Sequence, residues 1–159
     1  MLDPITQDEA EALFFKAMQF GYASGAEPQR DRPHLGWKLL EYKKKDLYLI
    51  DMWHTTPRSY YSSGVTTISH NGVVVWVMHY GGWYAEEAIP TLKAALHFAY
   101  SQNMFRGGRG PKFFQNGQYT YRNKPNSMRF VCFSGQEEVY DSSGTQLGNH
   151  WYHGQWMLD

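Results

Sequence analysis

Asn71-Gly72 stands directly ahead of an unbroken run, Val73-Val74-Val75-Trp76-Val77-Met78-His79-Tyr80, which Gly81-Gly82 closes. Asn-Gly supplies positive φ at two successive positions, the requirement of a type I′ hairpin, so the residues ahead of it must pair with the run that follows. Side chains alternate along a strand, setting Val73, Val75 and Val77 on one face and Trp76, Met78 and Tyr80 on the other. A strand wetted on one side shows a polar residue at every second position, and this run does not. The pattern predicts a strand internal to its sheet, covered on both faces, with Trp76, Met78 and Tyr80 buried.

Other strands must accompany it. Trp37 to Tyr42 and Leu47 to Trp53 read as strands joined by a solvated turn at Lys43-Lys44-Lys45-Asp46. Tyr60 to Ser69 is the hairpin partner of the central run, with a bulge or bend expected at Ser62-Ser63-Gly64. Gly117 to Tyr121, Met128 to Phe133, Glu137 to Tyr140 and His150 to Trp156 complete the set, with turns at Ser142-Ser143-Gly144 and Leu147-Gly148-Asn149. Two helices are predicted. Thr6-Gln7-Asp8-Glu9 has the form of a capping box, Ala10, Leu13, Phe14, Ala17 and Met18 make one apolar stripe, and Gly21 is placed to end the helix in a left-handed conformation. The second helix runs from near Glu86 to Tyr100, with Pro90 in its first turn. Tyr22 to Pro33 reads as a polar loop with Arg30-Asp31-Arg32 in solvent, and Phe105 to Pro111 as a flexible one. The result is an α+β fold: a twisted, mainly antiparallel sheet of about six to eight strands with two helices packed against it.

The 159 residues fit a single domain, residues 1–159. No apolar run of the roughly 18 residues needed to span a membrane occurs, and no basic segment followed by an apolar core marks the start. Lone Cys132, expected to be small and buried in a strand, forms no internal bridge and suits a reducing, cytoplasmic setting. Seven histidines are present without the spacing of a ligand set; His150 and His153 fall on opposite faces of one strand. Neither a metal nor a cofactor is expected.

The chain resembles an uncharacterised bacterial domain family that occurs alone or behind XRE-type helix-turn-helix domains. The resemblance is carried by Tyr48-Leu-Ile-Asp51, Trp76-Val-Met78-His79-Tyr80-Gly81, Arg106-Gly107 with Gly110-Pro111, Gly117-Gln-Tyr119-Thr-Tyr121, Gly135-Gln-Glu137 and Tyr152-His-Gly154. It implies a shared fold and carries no activity with it. His79 and the neighbourhood of His54 depart from the family pattern.

Charge and one misplaced carboxylate point to function. The basic and acidic totals are equal at 15 each, yet residues 101–136 carry Arg106, Arg109, Lys112, Arg122, Lys124 and Arg129 with no Asp or Glu. Arginine offers planar donors to a carboxylate or phosphate, the glycines beside Arg106 and Arg109 let backbone amides approach an anion, and Tyr119 and Tyr121 supply stacking surfaces. The function expected first is therefore non-catalytic binding of a small anionic or aromatic ligand, or of an acidic protein surface, through Arg106, Arg109, Tyr119 and Tyr121. Nucleic acid is not expected, because a single Arg-Gly-Gly step falls far short of a binding tract. The alternative to a site is that these arginines balance Glu86, Glu87, Glu137 and Glu138 within the fold. The second function is an enzyme acting on a small metabolite: Asp51 interrupts the apolar face of Leu47, Leu49 and Trp53, and would act as acid or base with His79 or Tyr80 from another strand.

Overall fold

In a computed structural model, which describes residues 5–30 and 36–159, the capping box is closed. The Thr6 hydroxyl accepts from the Glu9 amide at 3.2 Å and the Glu9 carboxylate accepts from the Thr6 amide at 2.9 Å. Two of the orphan amides of a helix start are thereby paired, and α1 (Gln7–Gln19) follows. It ends through Phe20; Gly21 has φ of −94°, so the left-handed cap expected there does not form. What fixes Gly21 is space, since a Cβ would press to 3.3 Å from the Ala17 carbonyl oxygen. The second helix, α2 (Ile89–Ser101), is entered through a 3-10 turn at Glu86–Ala88 with Pro90 in its first turn.

Among the described residues nine antiparallel strands form one sheet: β1 (Gln29–Arg30), β2 (Trp37–Lys44), β3 (Leu47–Thr55), β4 (Tyr61–His70), β5 (Val73–Tyr84), β6 (Phe113–Asn116), β7 (Tyr119–Arg129), β8 (Cys132–Tyr140) and β9 (Gln146–Trp156). That exceeds the six to eight expected, because β1 and β6 are edge strands too short for their periodicity to register. Their order is β1-β2-β3-β4-β5-β9-β8-β7-β6. One meander runs inward from the first edge to β5, α2 crosses over, and a second meander returns from the far edge so that β9 pairs with β5. Part of the loop before β2, including Asp31 and Arg32, lies outside the described residues, and Arg30 is exposed.

The turn at Asn71 and Gly72 has φ of 50° and 81°, as the type I′ reading requires. β5 is the fifth strand of nine and so internal, but it is covered on one face only. Trp76 and Met78 are fully buried and Tyr80 partly so, whereas Val73 is 58% exposed, Val77 half-buried and His79 exposed. Valines on a wetted face are explained by their fit to a pleated surface and to cross-strand neighbours, which requires no second layer. The irregularity in β4 lies between Ile68 and Ser69, not at Ser62-Ser63-Gly64, and leaves Val75 as an extra residue that turns inward beside Trp76. Further along, Phe130 and Val131 make the turn between β7 and β8, so the stretch Met128 to Phe133 is a hairpin and not one strand. Cys132 begins β8 on the exposed side, contrary to the buried position expected.

Both helices lie on the inner face and complete the core. Trp76 is its centre: its ring stacks between Phe130, at 5.1 Å, and Phe133, at 5.4 Å, while its indole N–H donates to the Phe130 carbonyl at 3.0 Å. The segment from Gly107 to Pro111, expected to be flexible, is buried against this core. Gly108 has φ of 72°, and a Cβ there would meet Met78 Sδ at 2.9 Å, so only glycine lets the chain pass so close to the sheet.

Candidate functional site

Tyrosines lie flat on the inner face because glycines stand opposite them. Tyr80 pairs across to Gly64, Tyr84 to Gly148 and Tyr152 to Gly135, and a Cβ on any of these glycines would collide with the facing ring. The hydroxyls are thereby carried sideways along the sheet toward polar partners.

Two polar centres result. On β3, Asp51 is 6% exposed, and its Oδ1 accepts from the Thr66 hydroxyl at 2.9 Å and the Tyr80 hydroxyl at 2.8 Å. Burial pushes the Asp51 carboxyl up, outweighing the hydrogen bonds from Tyr80 and Thr66 and the charge of Arg109, which favour its ionised form. Both donors use the same oxygen; Oδ2 receives no hydrogen bond among the described residues.

The second centre is the fully buried Glu137 of β8. Arg109 donates to Glu137 Oε1 from Nε at 2.9 Å and also from Nη2, Tyr84 donates to Oε1 at 2.7 Å, and Tyr121 donates to Oε2 at 2.5 Å. Burial opposes ionisation of Glu137, but the Arg109 charge and these donors prevail and hold its carboxyl below the usual range. Burial, reinforced by the Glu137 charge, holds the Tyr84 and Tyr121 hydroxyls well above theirs, so both remain donors. Asn123 anchors the Arg109 segment by donating to the carbonyls of Arg106, at 2.9 Å, and Gly110, at 2.8 Å. The Arg109 guanidinium lies over the Tyr80 ring, 5.4 Å from its centre, and so links the two centres.

Between this polar floor and the helices is a cavity of about 350 Å³. Met18, Trp53, Leu92 and Leu96 give it apolar walls, and Asp51, Tyr80, Tyr84, Tyr100, Arg109 and His150 its polar end. His150 of β9 is 4% exposed, packs with its ring 4.4 Å from that of Tyr84 at a tilt of 39°, and shares a hydrogen bond of 3.1 Å between Nε2 and the Ser62 hydroxyl. Burial brings its imidazole down to about 4, so it is neutral near pH 7, and its buried Nδ1 has no partner among the described residues. Asp51 also borders a hollow of about 40 Å³ beneath α1, room for little more than a water molecule.

The structure joins Asp51 to Tyr80 and brings Arg109 and Tyr121 together at Glu137, with Arg109 also at the cavity. His79 is not brought to Asp51. Neighbouring residues of β5 face opposite ways, and His79 stacks on His153 at 5.2 Å on the outer face. Arg106 is directed elsewhere, with Nη1 3.2 Å from Met128 Sδ, and Tyr119 pairs with Asn116 at the β6 edge, away from the cavity. The expected balance between basic segment and glutamates is met at Arg109–Glu137 and at Lys124–Glu138, the latter at 2.7 Å. Residues that sequence reasoning missed are Glu137, His150, Tyr84 and Tyr100. The Gly-to-Tyr cross-strand pairing was the one signal that could have found Tyr84; Tyr100 lies on α2 and has no such pairing. Among the described residues no group of three or more His, Cys, Asp or Glu is placed to hold a metal, and no helix is long and apolar enough to cross a membrane.

Fold and site together define an α+β domain whose open antiparallel sheet and two helices border a cavity that has a polar inner end and opens past the exposed Tyr60, Tyr61 and Glu86. The chain belongs to the family described as domain of unknown function DUF5680, whose model matches residues 57–157. The match takes in β4, β5, α2 and the whole second meander, hence Tyr80, Tyr84, Arg109, Glu137 and His150, while Asp51 and Trp53 precede it. Neither the curated proteins nor the solved structures compared with the chain include a match.

Proposed function

We propose that the protein binds a small molecule in the cavity between sheet and helices, its apolar body against Trp53, Leu92 and Leu96 and its polar head at the end formed by Asp51, Tyr80 and Arg109. One observation carries this reading: a cavity of about 350 Å³ with apolar walls converges on a few desolvated polar groups, the composition of small-ligand sites, whose volumes run from about 300 to 1,000 Å³. An acidic protein surface as partner draws less support, since Arg109 is buried and Lys124 is engaged by Glu138. The lone exposed Cys132 is in keeping with a reducing compartment such as the cytoplasm.

A thermal-shift screen of small aromatic and branched aliphatic metabolites tests the reading. A ligand should raise the melting midpoint with rising concentration in the native protein and not in Leu96→Trp, where an indole fills the cavity. If no compound stabilises the protein, or if the filled variant responds equally, the cavity is not the site.

The enzyme reading is supported by one atom, Asp51 Oδ2, which is uncommitted while Tyr80 and Thr66 hold the other oxygen. Such a carboxyl is placed to give or take a proton from a bound molecule. Ligands from the screen that return chemically unchanged, with no solvent deuterium incorporated after prolonged incubation, would count against it.

A further inference from the structure

We propose that the head group this cavity selects is a carboxylate, carried on a single aromatic ring or a branched aliphatic chain; the proposal rests on the ligand-binding reading above. Arg109 directs Nε and Nη2 at Glu137 Oε1, and its Nη1 has no hydrogen-bond partner among the described residues. A guanidinium presents five donors in a planar fork and no acceptor, so what it has left suits an anion.

Asp51 is the second half of the argument. Its two hydroxyl donors converge on Oδ1 and leave Oδ2. Burial raises the Asp51 carboxyl above its ordinary range, which eases its protonation as a ligand carboxylate approaches, so that Oδ2 can then donate. Arg109 lies over the Tyr80 ring and Asp51 accepts from its hydroxyl, so both stand at the same end of the cavity. A ligand ammonium would meet the Arg109 guanidinium, whose charge Glu137 only offsets, and would have to ionise Asp51 against its burial. The other charged or titratable groups bordering the cavity do not reverse this preference. Lys38 comes from β2, Tyr22 follows α1, Tyr84, Tyr100 and His150 line the inner end, Tyr60 and Tyr61 stand exposed where β4 begins, and Glu86 stands exposed ahead of α2. His150 is neutral, the Tyr22, Tyr84 and Tyr100 hydroxyls are held protonated, and Lys38 favours an anion.

Phenylacetate, phenylacetamide, 2-phenylethanol and 2-phenylethylamine share one body and differ in the head. Calorimetry with the full chain should find phenylacetate tightest, by about tenfold over the amide and alcohol, with the amine weakest. Its affinity should fall as pH rises, because Asp51 then loses the proton it donates. Asp51→Asn, a neutral isostere with donors of its own, should keep phenylacetate binding and lose that pH dependence. If Asp51→Asn fails to fold, the native pH profile still decides. An amine or neutral head that binds as tightly as the carboxylate, or a carboxylate affinity indifferent to pH, overturns the head-group assignment while leaving the cavity reading standing. Failure of all four compounds to bind also overturns the assignment, and the broader screen with Leu96→Trp then judges the cavity itself.

Discussion

Tyr80 and His79 are neighbours on β5 and belong to different environments. The Tyr80 ring lies on the helix-covered face, across Gly64 and under the Arg109 guanidinium, with its hydroxyl on Asp51. His79 stands on the other face, exposed and stacked on His153. Water satisfies any polar atom on that outer face, so an uncommitted nitrogen there carries no information. On the inner face each polar group has been stripped of water, at a cost of about 1 to 3 kcal/mol if it is left unpaired. Most are paired, and the cavity-lining groups with atoms left over among the described residues, Arg109, Asp51 and His150, therefore point to a ligand. Occupied and uncommitted atoms are best distinguished where desolvation makes the difference expensive.

The contrast is broken most severely at Glu137. Glu137→Gln leaves the buried Arg109 charge without its counterion and should destabilise by about 3 to 5 kcal/mol in urea unfolding. A loss below about 1 kcal/mol would mean that the pair is effectively hydrated and that the inner face is not the dry environment described.

Acidification probes the same face through His150. Its folded value of about 4 lies below the ordinary value of 6.5, so the unfolded chain takes up the proton first. Stability is unaffected by this group above about pH 6.5 and falls between about pH 6.5 and 4, by on the order of 3 kcal/mol in total. Asp51, whose value is raised, contributes with the opposite sign, adding stability at low pH that is lost as the pH rises. Comparison with His150→Gln isolates the histidine: the variant's stability should decline less over that interval, and an identical pH curve would show that His150 is not buried.

The smallest effect belongs to the outer face. His79→Ala should change stability by no more than about 0.5 kcal/mol and leave ligand binding untouched. A loss of binding in this variant would sharpen the comparison in the wrong direction, by restoring the His79 partnership with Asp51 that the register forbids.

The sequence made the centre of the fold legible because Asn71-Gly72 and the run after it admit few alternatives, and because Thr6 and Glu9 mark a helix start chemically. Asp51 was legible too, as a carboxylate breaking an apolar alternation. Glu137 was hidden for a physical reason. It sits in the doublet Glu137-Glu138, one of which must face inward on a strand, and its partner Arg109 is 28 residues away in a loop whose glycines suggest mobility as readily as burial. The hairpin at Phe130-Val131 escaped notice because neither residue is a turn former. His150 was weighed as a metal ligand with His153, and the alternation that excluded that pairing does not tell which of the two faces inward; in the structure it is His150.

The six tryptophans permit a spatially resolved test of the claim that the inner cavity takes a ligand and the outer face does not. Trp53 lines the cavity at 8% exposure, while Trp151 stands on the outer face at 56%. Indole N–H resonances of ¹⁵N-labelled protein, followed as phenylacetate is added, should show saturable movement of Trp53 with Trp151 unchanged. Movement of Trp151 with Trp53 silent, or no movement of either, would contradict the account.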